Sequence, residues 1–296
     1  MSKKKAFGSG YFGEWIEDEF GLPAYLYNCD QINDLKAITP MNEKWRSNTE
    51  HLHQVGNDRI VAVASNYGHI QVRQDEGSPK YLNEFNPEKG HYAGGFGYLT
   101  DNDDYLSTFY PGNADSFERI FGIGYFQKKV IGKGYSVNQI IFAPFGDDPC
   151  IISQVKITNN RQKRVDLRWI EYWGCYEYQF SAAAFAGILS KTSTKHPRDV
   201  RHESSDKLKH EFESIENGTG IQDKRFFEGQ NTIYDPNNLK PSFDDKFPPK
   251  TFLVSLDSEI SGMQTNSTDF FGIGGLESPD SLKTDLTNSL NSTGVE

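Results

Sequence analysis

Tyr135-Ser-Val-Asn-Gln-Ile-Ile-Phe-Ala143, Pro144-Phe-Gly-Asp-Asp-Pro149 and Cys150-Ile-Ile-Ser-Gln-Val-Lys-Ile-Thr158 follow one another without a break. The first run alternates, with Val137 and Ile141 set against Ser136 and Asn138. The third alternates more clearly. Ile151, Val155 and Ile157 share one face, and Gln154, Lys156 and Thr158 share the other. A period of two is the mark of a half-buried strand. The middle run, with two prolines and a glycine, reads as a turn. Strand, turn and strand in so short a span mean an antiparallel pair.

The same grammar extends in both directions. Asn159-Asn160-Arg161-Gln162 is a second turn. Beyond it Val165, Leu167 and Trp169 point inward, with Asp166 and Arg168 outward. From Ile170 to Trp173 both faces become apolar or aromatic, as expected of a strand covered by a second layer. Upstream, Arg59–Ser65 and Tyr67–Arg73 read as a tight hairpin. Phe117–Val130 places Phe117, Phe121, Ile123 and Tyr125 on one face, with Arg119 as the exception. In Ser190–Gly220, Leu208, Phe212 and Ile215 fit helical spacing, and Leu208, His210 and Phe212 fit alternation; the strand is preferred. The proline-rich stretch Asn231–Pro249 reads as a loop and Lys250–Leu256 as a strand. Ser278–Glu296 has no core pattern of its own. Consecutive hairpins of this kind predict an all-β fold, a large antiparallel sandwich with few short helices.

Composition agrees. Aromatics are 14% of the 296 residues, with Phe 21 and Tyr 15 against Met 3, and aromatic side chains favour sheets. The net charge of -10 argues against a nucleic-acid partner, which needs clustered Lys and Arg. The one basic run, Lys3-Lys4-Lys5, lies at the terminus. No stretch reaches the roughly 20 apolar residues of a membrane span, and no apolar core follows the basic start as a secretory signal requires. With an odd number of cysteines (Cys29, Cys150, Cys175) and no close pair, an intracellular, cytoplasmic location is expected, and the sequons at Asn217, Asn266 and Asn291 read as coincidental.

Several motifs carry less than they promise. Gly8-Ser9-Gly10-Tyr11-Phe12-Gly13 fits G-x-G-x-x-G, but no buried strand precedes it, so a turn is the better reading. His51 and His53 alternate and could share a metal, yet no third ligand is evident. Asp101-Asn102-Asp103-Asp104 lacks the glycine and terminal Glu of a calcium loop. Cys150 and Cys175 sit in apolar contexts and read as core. No metal and no cofactor is expected, and no catalytic residue is assigned.

Asn83–Leu99 is more suggestive. Gly90, Gly94, Gly95 and Gly97 allow close approach of a neighbour or a ligand, and His91, Tyr92, Phe96 and Tyr98 interleave with them. Flat aromatic faces beside polar groups suit a sugar ring. Trp15–Tyr27 has the same character. Trp15, Tyr27, His91, Tyr92 and Phe96 are therefore the candidate carbohydrate contacts.

An ordered series of segments carries a resemblance: Gly10-Tyr11-Phe12-Gly13-Glu14, Leu22–Asn28, Gly94–Tyr98, Phe117–Tyr125, Ala143–Asp148, Val155–Asn160 and Leu167–Tyr172. From about Gly10 to Gly275 the chain resembles the N-terminal β-sandwich of inverting glycoside phosphorylases, the cellobiose phosphorylase type of glycoside hydrolase family 94, and looks closer still to the β-1,3-glucan phosphorylases. The resemblance implies a galactose mutarotase-like super-sandwich over residues 10–277, after a flexible lead-in over 1–9. Residues 278–296 would lead toward an (α/α)6 catalytic barrel, so that the 296 residues are an N-terminal fragment. It further implies phosphorolysis of a β-glucoside or β-glucan oligosaccharide, with inorganic phosphate as co-substrate, a sugar 1-phosphate as product, no other cofactor, and a homodimeric parent enzyme. The catalytic acid would belong to the barrel, leaving the sandwich to support assembly and the edge of the substrate site. The family pattern often carries Arg-His just before Gly122. Ile120 and Phe121 stand there instead, which favours a β-glucan acceptor other than cellobiose. Competing readings are a stand-alone carbohydrate-binding or mutarotase-like sandwich, for which His69, His91 and Glu171 could be nominated, and an assembly module without a ligand.

Overall fold

The computed structural model describes residues 8–10, 12–27, 51–74, 80–101, 103–109, 112–179, 208–215, 219–227, 250–257 and 259–284. Lys3–Lys5, Cys29, Trp45, the sequons at Asn217 and Asn291, and the expected loop at Asn231–Pro249 lie outside the described residues, as does all of Ser190–Lys207.

In chain order the strands are β1 (Gly8–Gly10), β2 (Gly13–Glu17), β3 (Pro23–Tyr27), β4 (Leu52–Gly56), β5 (Val61–Ser65), β6 (Ile70–Gln74), β7 (Lys80–Tyr81), β8 (Phe85–Asn86), β9 (His91–Tyr92) and β10 (Gly94–Thr100). They continue with β11 (Tyr105–Ser107), β12 (Ser116–Gly122), β13 (Tyr125–Gly132), β14 (Tyr135–Phe142), β15 (Ile152–Asn159), β16 (Arg168–Trp173), β17 (Tyr178–Gln179), β18 (Leu208–Ser214), β19 (Gly220–Phe227) and β20 (Thr251–Val254). The fold is all-β, as the alternation predicts. The chain divides into two compact units, Met1–Val72 with Gly94–Tyr172, and Arg73–Ala93 with Trp173–Glu296.

The first unit is a sandwich. Its large sheet has the order β1-β2-β3-β12-β13-β14-β15. A smaller sheet, β11-β10-β16, packs on it through a core of Leu99 and Leu106 from one side and Val130, Tyr135 and Val137 from the other, with Val155, Ile157 and Trp169 filling in. β14 alternates buried and half-buried residues along its whole length, as the opening stretch predicts. The paired strand β15 keeps Val155 and Ile157 on the core side. Phe117–Val130, by contrast, is not one run. β12 and β13 are a hairpin in which Gly122 pairs with Tyr125, so the turn is Ile123-Gly124, with Gly124 at φ 81 and Ile123 exposed. A positive φ is cheap only without a Cβ. The turn reverses the face of Tyr125, which joins Ile16, Ala24, Leu26 and Ile120 in a second apolar cluster.

Registers place three parallel rows across one face of the large sheet. Trp15, Tyr25, Phe121, Phe126 and Ile141 form the first. Gly13, Tyr27, Arg119, Lys128 and Gln139 form the second. Phe117, Val130, Val137 and Ile157 form the third. An aromatic row, a polar row and an aliphatic row thus lie side by side.

In the second unit, β18, β19 and β20 form an antiparallel sheet, with strand chosen over helix at Leu208–Ser214 as expected. β8 and β9 pair around His91 and Tyr92. A short helix, α1 (Ser267–Phe271), starts at Asn266, whose side chain accepts from the backbone of Thr268 and Asp269. That cap satisfies two of the amides a helix start leaves bare. Within the C-terminal stretch, Leu282 is buried although no core pattern announces it.

Candidate functional site

The aromatic row is open at one end. Trp15 is 45% exposed and meets Tyr25 edge-on, with ring centroids 5.3 Å apart. Two residues along β3, Tyr27 is buried. Its hydroxyl lies 2.8 Å from His51 Nδ1, its ring stacks parallel to Phe12, and the Arg119 guanidinium sits 4.9 Å from its centroid. Phe121 tilts against Tyr27 and stacks on His53, whose Nε2 lies 2.9 Å from the Gly122 carbonyl and 3.2 Å from that of Tyr125. Two carbonyl acceptors make His53 Nε2 the N–H donor. Burial lowers both histidines below their ordinary value, and at His53 the carbonyl contacts oppose the shift. The two rings thus face separate partners.

Behind this cluster runs the polar row. Arg119, Lys128 and Gln139 are all fully buried. Arg119 Nη1 donates to the Asn66 carbonyl at 3.0 Å. Lys128 Nζ donates to the carbonyls of Gly68 at 2.8 Å and Gly95 at 2.6 Å. Gln139 accepts from Thr108 Oγ1 and donates to Ser153 Oγ and Glu171 Oε1, and Glu171 Oε2 accepts from the Trp169 indole at 2.9 Å. Enclosure drives the Lys128 ammonium far down, to about 7, with the Glu171 carboxylate opposing. Unpaired buried charge is costly, so the lysine is held where losing its proton is easy.

The remaining candidates divide. Phe96 has 0% exposure, enclosed by Tyr98, Phe109 and Tyr172. The glycines around it serve the protein's own packing. A Cβ on Gly95, at φ 73, would overlap Ile70, and one on Gly97 would overlap the Ile170 carbonyl and Trp169. His91 and Tyr92 belong to the second unit. His91 Nδ1 lies 2.9 Å from Glu84 Oε2 and its ring stacks on Tyr176; Tyr92 meets Phe271 edge-on. The structure therefore brings Trp15 and Tyr27 together on one face, backed by Tyr25 of the same aromatic segment, by His51 and His53, weighed from sequence only as a metal pair, and by Phe121 and Arg119, which were not nominated. Arg119 was visible only as a break in an apolar pattern. Glu171 is tied to Gln139 and Trp169, and His69 is buried.

No family model and no curated protein sequence matches the chain. Among the described residues, no helix is long and apolar enough to cross a membrane.

Proposed function

We propose that the chain is a carbohydrate-associated β-sandwich of the glycoside phosphorylase kind, which presents a β-glucan oligosaccharide to a catalytic barrel of the same parent protein. The observation that carries this reading is Trp15, 45% exposed and set edge-on against half-buried Tyr25 at the end of an aromatic row. An aromatic face takes the C–H side of a sugar ring. The segments behind the resemblance all belong to the first unit. Inorganic phosphate as co-substrate, a cytoplasmic setting and a homodimeric parent follow from the same reading, with the catalytic acid outside this chain. The alternative is a stand-alone carbohydrate-binding sandwich, which the same aromatic pair supports.

The test is a titration of the purified chain with β-1,3- and β-1,4-gluco-oligosaccharides, read by tryptophan fluorescence. Saturable quenching is expected in the wild type and its loss in Trp15→Ala, with melting unchanged. Absence of any sugar response in the wild type would overturn the carbohydrate reading. A parallel assay with phosphate is expected to release no glucose 1-phosphate; robust release would place the catalytic acid in this chain and favour a complete enzyme.

A further inference from the structure

The second unit holds a polar centre of its own. On one face of its three-stranded sheet, His210 pairs in register with Arg225, Phe212 with Asp223, and Asp223 with Thr251. The segment after β16 contributes Cys175 and Glu177. Arg225 is fully engaged: Nη1 donates to Glu177 Oε2 at 2.6 Å, Nε to Asp223 Oδ2 at 2.8 Å, and Nη2 to Thr251 Oγ1 at 2.9 Å. His210 Nδ1 lies 2.8 Å from the same Asp223 Oδ2. Asp223 is 4% exposed, yet its other oxygen, Oδ1, is buried without a hydrogen-bond partner. Cys175, expected from sequence to sit in an apolar context, instead has its enclosed thiol beside Asp223 and Arg225. The ligand atoms of Cys175, His210 and Asp223 all lie within 4.8 Å of one another, the one such convergence of three among the described residues.

A bare carboxylate oxygen in a buried site is costly. His210 and Arg225 both meet Asp223 at Oδ2, so neither relieves Oδ1. A divalent metal would. With the Cys175 thiol proton released to solvent on binding, the thiolate and the Asp223 carboxylate together offset the metal's two positive charges, and His210 serves as a neutral ligand. We propose that Cys175, His210 and Asp223 form a zinc-binding site.

The donor set selects the metal. One sulfur, one imidazole nitrogen and one carboxylate oxygen suit borderline-soft Zn²⁺, while Ca²⁺ and Mg²⁺ want oxygen alone. Ligand bonds of about 2.0–2.3 Å at tetrahedral angles separate donor atoms by about 3.3–3.8 Å. All three ligand atoms already lie within 4.8 Å of one another, so local side-chain adjustment on binding would reach that spacing. Arg225 anchors Asp223 from behind, as outer-shell partners of ligating carboxylates do. Three protein ligands leave one position for water or a further donor. Sequence spacing hides the site, because its ligands are 35 and 13 residues apart in three segments.

The experiment uses the full chain, stripped with chelator and titrated with Zn²⁺ against a chromogenic competitor, and separately with Co²⁺. One equivalent of Zn²⁺ is expected, with a higher melting temperature on binding and a near-ultraviolet sulfur-to-cobalt charge-transfer band. Cys175→Ser should abolish that band and weaken Zn²⁺ by about tenfold or more, with the far-ultraviolet circular dichroism of the apo-protein unchanged. His210→Gln is the second variant and should weaken Zn²⁺ similarly. Failure of the wild type to take up either ion would overturn the site. So would stoichiometric binding that Cys175→Ser and His210→Gln both leave intact. The Trp15→Ala comparison isolates the sugar response to the first unit, so the two proposals fail separately.

Discussion

Lys128 ties the stability of the first unit to pH, and the sign follows from its surroundings. Its amine is enclosed by protein, hydrogen-bonded to the carbonyls of Gly68 and Gly95, and paired in register with another cation, Arg119. Burial lowers it from 10.5 to about 7, while Glu171 resists. Below about pH 7 both folded and unfolded chains carry the proton, and the folded state bears a buried ammonium. Between that value and 10.5 the unfolded chain holds one more proton than the folded one, so stability rises with pH. The slope for one proton is about 1.4 kcal/mol per pH unit. Over two units it amounts to at most about 3 kcal/mol. Other shifted groups act mainly at the edges of the window from pH 7 to 9. His51 and His53 are lowered from 6.5, and most of their contribution is in place by pH 7. Cys150 and Cys175 are raised from 9.0 and Tyr125 and Tyr135 from 10.0, so they erode stability as pH approaches 9 and above, opposing the lysine at the alkaline end. Urea unfolding at pH 7, 8 and 9 should show the midpoint climbing in the wild type. Lys128→Met keeps the length of the side chain and removes the proton, so its midpoint should no longer climb and should fall slightly toward pH 9. A wild-type midpoint independent of pH, or a slope that survives in Lys128→Met, would refute the reasoning.

Two further outcomes test the packing of β10. Phe96→Ala should cost about 3–5 kcal/mol by urea unfolding and leave sugar-induced quenching at Trp15 in place; loss of quenching at unchanged stability would make Phe96 a contact instead. Gly95→Ala combines a left-handed backbone with overlap against Ile70, and should cost about 3 kcal/mol; a neutral result in the same assay would mean the strand relaxes there.

The strands were legible because their burial alternates. β14 and β15 are half-buried, so Val137, Ile141, Val155 and Ile157 declare their face in the sequence. Where the rule failed, a polar residue had turned inward or a turn had been disguised. Ile123-Gly124 lacks the Asn or Asp that flags a hairpin, and an exposed isoleucine extended the apparent apolar face across it. Lys128 and Gln139 lie on the inner face, and no local pattern marks them because their partners come from distant loops and strands: Gly68, Gly95, Thr108 and Glu171. Helix α1 is only five residues long, too short for periodicity, and Asn266 was visible only as a sequon. Of the candidate contacts, Trp15 and Tyr27 share a face because they sit on adjacent strands. Phe96 looked equally exposed in sequence, since an aromatic between glycines reads the same whether a ligand or a core fills the space beside it.

Each unit buries a charged side chain that its own contacts leave partly uncompensated. In the first, Arg119 and Lys128 place two cations in register on a buried face, with Glu171 as the carboxylate acting on Lys128. Arg119 cannot lose its proton at any ordinary pH; it rests on the Tyr27 and Phe117 rings and the Asn66 carbonyl. Relief therefore falls to the lysine, which can become neutral and still donate to both carbonyls. In the second unit the uncompensated group is a carboxylate oxygen, Asp223 Oδ1, while Arg225 is bonded to Glu177 and to Asp223 Oδ2. Protonating either carboxylate would weaken its bond to the guanidinium, and protonating His210 supplies no donor to Asp223 Oδ1. The route left is a cation from solution, and the thiol and imidazole beside that oxygen make the site selective for one. Removing Cys175 should therefore leave the first unit's pH dependence untouched, while Lys128→Met should leave zinc uptake unchanged.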